Sequence, residues 1–224
     1  MDKLHMDKMS ILSGEWLLRV AWFSGGKESL YAALQRWPPD LFLFLVYEFS
    51  EPSPHIVNLK HAVLSAASMR IPVAVVRLDR GREFEQTARF LEKVGAREMV
   101  AGDVNIVSHL KYMERLAEAA GARLYEPLWG QNTEELLRRE IEDGLRPAII
   151  GFRRDFPREW LCRVIDEDTV EGFLEDVKKH GIDPVGERGE YHSLVVSSKV
   201  HREALEVKLA RVVVSEKQVI AVLE

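Results

Sequence analysis

Ser24-Gly25-Gly26-Lys27-Glu28-Ser29 follows the apolar run Leu17 to Phe23 and precedes a helical pattern carrying Leu30, Tyr31, Leu34 and Trp37. A strand, a glycine turn and a helix in that order make an anion site. Two glycines let the backbone approach a ligand closely, and the first amides of the helix lack internal partners, so they point at whatever occupies the turn. Phosphate is the usual occupant. Lys27 adds a mobile positive charge, and Ser24 and Ser29 offer hydroxyls to the helix end or to phosphate oxygens. The common nucleotide loop needs a glycine where Ala21 stands and Ser or Thr where Glu28 stands, so that reading fails. The plain alternative is a Gly-Gly turn that only punctuates the chain, with Glu28 favoured by the helix dipole.

Outward from the loop, apolar runs alternate with helical patterns, the habit of a parallel sheet covered by helices on both faces. Leu17 to Phe23 is the first strand and Leu41 to Tyr47 the second, a continuous apolar run suited to burial on both sides. A helix is expected from about Ile56 to Met69 with Val63, Ala66 and Ala67 inward, then a strand from Val73 to Leu78 and a helix from about Glu83 to Val94 ending at Gly95. The fourth strand, Glu98 to Ala101, runs into Gly102-Asp103. Ligands gather beyond the carboxyl ends of strands in such sheets, which makes Asp103 a candidate metal or substrate contact; the alternative is an N-cap for the helix carrying Leu110, Met113 and Leu116. A further helix starts at Thr133 and ends at Gly144, and Arg146 to Phe152 supplies another strand.

Beyond Gly151 the pattern changes, which suggests a subdomain or an extension folding back on the sheet. A helix runs from near Asp168 to His180. Gly186-Glu187-Arg188-Gly189-Glu190-Tyr191-His192-Ser193 is poor packing material standing just before the apolar run Leu194 to Val196. If the stretch is extended, Glu190 and His192 share one face and Tyr191 takes the other. Such a face could hold a metal, orient an amine or take a proton, and the competing reading is a solvated hairpin edge with Tyr191 packed beneath. Ala204 to Val214 and Gln218 to Leu223 read as an antiparallel pair. The expected division is an N-terminal tail over 1–15, a phosphate-loop domain over 16–152 and a smaller C-terminal α+β portion over 153–224.

A chain of 224 residues with a formal net charge of -5 argues against a general nucleic-acid binder, because such binding rests on many Lys and Arg contacts to phosphate. The single cysteine, Cys162, cannot pair within the chain and leaves no CxxC metal or redox site. There is no apolar run long enough to span a bilayer, and the expectation is a soluble cytoplasmic protein with no membrane partner. Whether it forms a homo-oligomer is left open.

The loop resembles the pyrophosphate loop, Ser-Gly-Gly-Lys-Asp-Ser, of the ATP pyrophosphatases, with Glu28 in place of the usual Asp. Taken with Gly102-Asp103, Glu114-Arg115, Pro127-Leu128-Trp129 and the Gly186 to His192 segment, the order and spacing resemble the diphthine ammonia-ligase family over about Leu17 to Val196. That resemblance implies a three-layer α/β fold with a doubly wound parallel sheet of Rossmann-like (HUP) type. It implies ATP-dependent amidation of diphthine, a modified histidine on translation elongation factor 2, with ammonium, giving diphthamide, AMP and pyrophosphate. By it, Ser24, Gly25, Gly26, Lys27, Glu28 and Ser29 bind ATP, and Glu28 and Asp103 are placed to hold Mg2+. Lys27, Asp103, Glu187, Glu190 and His192 are the catalytic candidates, while His55, Glu114, Gly186, Gly189 and Tyr191 are expected to contact substrate. Ser193 stands where the family commonly has Thr, and Cys162 where glycine is more usual, which suggests a different local backbone. The rival readings are a transfer-RNA modifying enzyme of the same fold, which would ordinarily want reactive cysteines or an RNA-binding module, and a non-catalytic ATP-binding regulator, which has no evident use for the Glu187, Glu190 and His192 cluster.

Overall fold

The computed structural model describes residues 18–48 and 51–224, so the expected tail over 1–15 lies outside the described residues. Buried residues alternate along the first strands: Val20, Leu43 and Met99 enter one apolar cluster, while Ala21, Phe42 and Val100 enter another. A period of two with both classes apolar means a sheet covered on both faces. The strands are β1 (Leu18–Trp22), β2 (Leu41–Val46), β3 (Val73–Arg77), β4 (Ala96–Val100) and β5 (Arg123–Tyr125), in the parallel order β3-β2-β1-β4-β5. The chain winds outward from β1 through β2 to β3, then returns to the other side of β1 for β4 and β5. The crevice where that order reverses lies between the carboxyl ends of β1 and β4, which is where such sheets bind ligands.

Helices α1 (Lys27–Leu34), α2 (Pro54–Val57) and α3 (Leu59–Ser68) lie on one face, and α4 (Glu83–Val94) and α5 (Val107–Ala120) on the other. The expected single helix from Ile56 to Met69 is broken at Asn58, because the Asn58 side chain is used elsewhere: its amide donates to Ala221 O at 2.8 Å and its Oδ1 accepts from Leu223 N at 3.0 Å. The inward face of α3 is Ala62, Ser65 and Ala66; Ala67, expected inside, is exposed. Restarting the helix at Leu59 resets the face.

The remaining elements are α6 (Thr133–Glu142), β6 (Arg146–Arg153), a 3-10 turn (Arg158–Trp160), α7 (Val170–Lys179), β7 (Tyr191–Ser197), β8 (Leu209–Val214) and β9 (Gln218–Leu223). They build a second, antiparallel sheet in the order β7-β6-β9-β8. β6 was expected inside the unit 16–152, but it pairs with β7 and β9 and makes no ladder with the parallel sheet. Its apolar run is that of a central strand in either sheet, so composition did not distinguish them. The expected C-terminal pair is present, with β8 starting at Leu209 and not Ala204. One apolar cluster runs from Phe23 and Phe42 through Leu137 and Ile149 to Phe173, Tyr191 and Val195. The two sheets therefore share a core, and β7 is carried onto the phosphate loop.

Candidate active site at the carboxyl edge of the parallel sheet

The loop leaves β1 at Phe23 and enters α1 at Lys27. Gly25 has φ +82, and a Cβ there would lie 3.0 Å from both Ala62 Cβ and Leu194 Cδ1. Only glycine satisfies both the left-handed conformation and that space. Gly26 is the N-cap of α1 and supplies no side-chain cap. The first helix amides are thus left to outside partners, with Lys27 N reaching Ser193 Oγ at 3.3 Å. Ser24 and Ser29 hold the turn itself: Ser29 Oγ donates to Gly26 O at 2.9 Å, and Gly26 N donates to Ser24 Oγ at 3.2 Å. Val195 N donates to Gly25 O at 2.8 Å, so β7 grips the turn directly.

Lys27 is 1% exposed, unusual for a lysine. Its ammonium donates to Glu28 and, at 2.9 Å, to Val185 O, and stands 4.6 Å above the Tyr191 ring. Burial pulls its proton affinity down, but Glu28, Tyr191 and Glu140 together outweigh burial and raise it, so the group stays charged. Tyr191 Oη donates to Pro184 O at 2.6 Å; burial holds the phenol protonated although Lys27 opposes the shift.

Two cavities meet at this loop. One, of about 400 Å³, is walled by Trp22, Phe44, Tyr47 and Ile56; the other, of about 550 Å³, reaches Lys27, Val185, Glu187 and Arg188. Ser24, Glu28, His55, Asp103 and His192 line both. The His55 and His192 rings meet edge to face with centroids 5.2 Å apart. Burial lowers His55 to about 3, helped by His192 and Lys27, and lowers His192 to about 4, helped by Lys27. Both rings are neutral near pH 7, and His55 Nδ1 has no hydrogen-bond partner.

Asp103 does not cap α5, which begins four residues later with Ile106 at the cap. Its Oδ1 lies 3.1 Å from His109 Nδ1, and its amide donates to Glu126 Oε2 at 3.2 Å. Gly102 brings Asp103 in: a Cβ on Gly102 would lie 2.6 Å from Glu28 O. Glu187 lines the larger cavity and its Oε1 accepts from Val104 N at 2.9 Å and Asn105 N at 3.1 Å, latching the late segment to the loop after β4; burial raises its carboxyl.

Glu190 is placed differently from expectation. It lines neither cavity; its carboxylate folds back to accept from Arg188 N at 2.9 Å. The shared face with His192 is lost because residues 186–190 form a turn, with Gly186 and Gly189 at positive φ and Gly189 N bonded to Gly186 O. The pairing with β6 also shifts register between Ile149 and Gly151. Gly186 is needed for space as well, since a Cβ there would lie 2.8 Å from Tyr191 Cδ1. Glu114 is exposed on α5 and lines neither cavity. Cys162 has φ +62, so the backbone keeps the conformation glycine favours despite the side chain; the thiol, raised by burial, lies outside the site.

Glu126, not singled out from sequence, lines neither cavity but stands behind Asp103, from whose amide it accepts a hydrogen bond. Burial, then Asp103, raises its carboxyl to about 8, and its Oε1 has no partner. The available signal was its place just past the end of β5, the counterpart of Asp103 past β4. As for Mg2+, no cluster of three or more His, Cys, Asp or Glu suited to a metal exists among the described residues. Glu28 and Asp103 facing one cavity fit an ion that arrives with nucleotide oxygens and keeps few protein ligands.

Residues 18–124 match the family model for the diphthamide synthase N-terminal domain, and residues 132–223 that for the C-terminal domain. No curated protein matches the chain. Among solved structures, a predicted subunit of tRNA methyltransferase from Methanocaldococcus jannaschii is similar at 20% identity and a TM-score of 0.41, over 82% of this chain and 98% of that one. With both domain models matched in order and the loop of the first seated against the Gly186 to Ser193 segment of the second, the chain belongs to the diphthamide synthase family.

Proposed function

We propose that the chain amidates diphthine on translation elongation factor 2, using ATP and ammonium and releasing AMP and pyrophosphate. The observation that carries this reading is the convergence of loop 24–29 and segment 186–193 on one pair of joined cavities. In the first step the diphthine carboxylate attacks the α-phosphorus; a C–O–P linkage forms and the α-β bond breaks, with pyrophosphate leaving. In the second, ammonia adds to the acyl carbon, the bond to AMP breaks, and the surplus proton goes to an acid of the site.

The apolar cavity suits adenosine, and the larger one suits the polyphosphate end, where Lys27 and the first amides of α1 stabilise charge on the departing pyrophosphate. His55 and His192, neutral and at the junction of the two cavities, are placed for the α-phosphate as uncharged donors. Asp103 and Glu187 give the cavities an acidic wall that attracts ammonium. Glu126, its carboxyl raised to about 8, is mostly protonated at neutral pH and holds that proton beside Asp103. Glu28 and Asp103 would hold Mg2+, which neutralises phosphate oxygens. The chemistry needs no protein nucleophile.

The test is incubation with ATP and Mg2+, with and without unamidated elongation factor and ammonium, followed by identification of the nucleotide products. AMP and pyrophosphate that require both cosubstrates support the ligase. ADP, or no turnover, rejects it.

A further inference from the structure

Glu140 on α6 has no exposed surface, and neither of its carboxyl oxygens has a hydrogen-bond partner among the described residues. A carboxyl buried in that way costs stability and calls for an explanation. Its surroundings supply one. Tyr31 Oη on α1 donates to Asp143 Oδ2, just past the end of α6, at 2.7 Å. One turn earlier on each side stand Lys27 and Glu140, near enough for ammonium and carboxyl to act on each other, while the ammonium's ion pair is with Glu28. Burial, then Glu28, pushes the Glu140 carboxyl well above the ordinary carboxylate range, with Lys27 and Arg139 opposing, and Glu140 in turn acts on Tyr31 and on Tyr191 of β7.

In the free protein Lys27 is held by Glu28 and Val185 O. Glu28, 21% exposed, also lines both cavities. On the function proposed above, Glu28 is needed on the nucleotide side, and its departure would leave a buried ammonium without its charged partner. We infer that Glu140 is a positioning residue that accepts the Lys27 ammonium when Glu28 turns outward into the cavity. Glu140 thus keeps Lys27 at one height above Tyr191 in both states, at a cost to the stability of the free protein.

A double-mutant cycle on the melting temperature of the ligand-free protein tests this, with Glu28→Ala standing in for a Glu28 engaged elsewhere. Glu140→Leu alone is expected to melt higher than the unmodified protein, and Glu28→Ala alone to lose only a few degrees. The double variant Glu28→Ala/Glu140→Leu should lose roughly 10 °C more than the sum of the two, because the buried ammonium then keeps Val185 O but no carboxyl. Failure of the double variant alone to fold is the extreme of the same outcome. Replacing Leu by Gln, which keeps an acceptor oxygen, should return the pair close to additivity. Additive effects, equal behaviour of Gln and Leu, or a Glu140→Leu protein that melts lower or fails to fold overturn the inference. The cycle needs no nucleotide: absence of ATP binding by the unmodified protein would sink the proposed function and leave the handover of Lys27 to be decided by the melting data.

Discussion

Replacing Lys27 by Met removes one charge and keeps most of a side chain's volume in a slot that is 99% closed to solvent. The stem still packs on Tyr191; what goes is the pair with Glu28, the bond to Val185 O and the contact with the ring. A desolvated cation over an aromatic ring is worth about 2 kcal/mol, and taking an ammonium out of water costs several, so the two nearly offset. Glu28 is not stranded, because its carboxylate reaches solvent by turning outward. The stability change should stay within about 2 kcal/mol, or roughly 4–8 °C in melting temperature for a chain of this size. Turnover is another matter. On the proposed function Lys27 carries the positive charge that meets the departing pyrophosphate, and loss of such a donor costs about 10²–10³-fold at minimum. The assay is formation of AMP and pyrophosphate, with circular dichroism on the same sample. A Lys27→Met protein that is folded and turns over within tenfold of wild type would refute the role given to the loop.

Three further outcomes follow from single contacts. Gly25→Ala must adopt φ +82 and place a methyl 3.0 Å from Ala62 and Leu194; conformational strain of about 1–2 kcal/mol and overpacking of about 1–3 should lower the melting temperature by roughly 5–15 °C, and a shift under about 2 °C would contradict the packing described. Glu126 titrates at about 8 in the folded chain against 4.5 ordinarily. Between those values the native state binds more protons than the unfolded one, so this carboxyl makes stability fall as pH rises from about 4.5 to 8. Urea unfolding of Glu126→Gln across that window should show a flatter decline than wild type, and an unchanged slope argues against the raised carboxyl. Cys162→Gly relieves a left-handed backbone at φ +62 and should melt at or above wild type, whereas Cys162→Ala should not.

Much of this protein is written locally. The alternation of apolar runs with helical patterns gives a parallel sheet with two covered faces because period and composition are properties of a few consecutive residues. The order β3-β2-β1-β4-β5 then puts the ends of β1 and β4 beside each other, and Asp103, past the end of β4, lines both cavities. Two departures from the expected elements depended on contacts distant in sequence. The helix over 56–69 is divided because Asn58 bonds to β9, more than 160 residues away. β6 joins the second sheet through partners that its own composition does not name. Glu190 leaves the cavity because two glycines close a turn where an extended strand was drawn, and Glu114 faces solvent because the inward face of α5 is taken by Met113 and Leu116.

By itself, the sequence of Ser24 to Ser29 determined a glycine turn between strand and helix with a lysine at the helix start, since glycine freedom and a charged stem are built into neighbouring residues. Only the tertiary structure decided what that turn can do. It laid β7 across the turn, set Tyr191 under Lys27, brought His55 edge to face with His192 and sealed Glu140 from solvent. These arrangements follow from burial of one shared core between two sheets, and proton affinity and hydrogen-bond choice are set by that burial, which no short stretch of chain encodes.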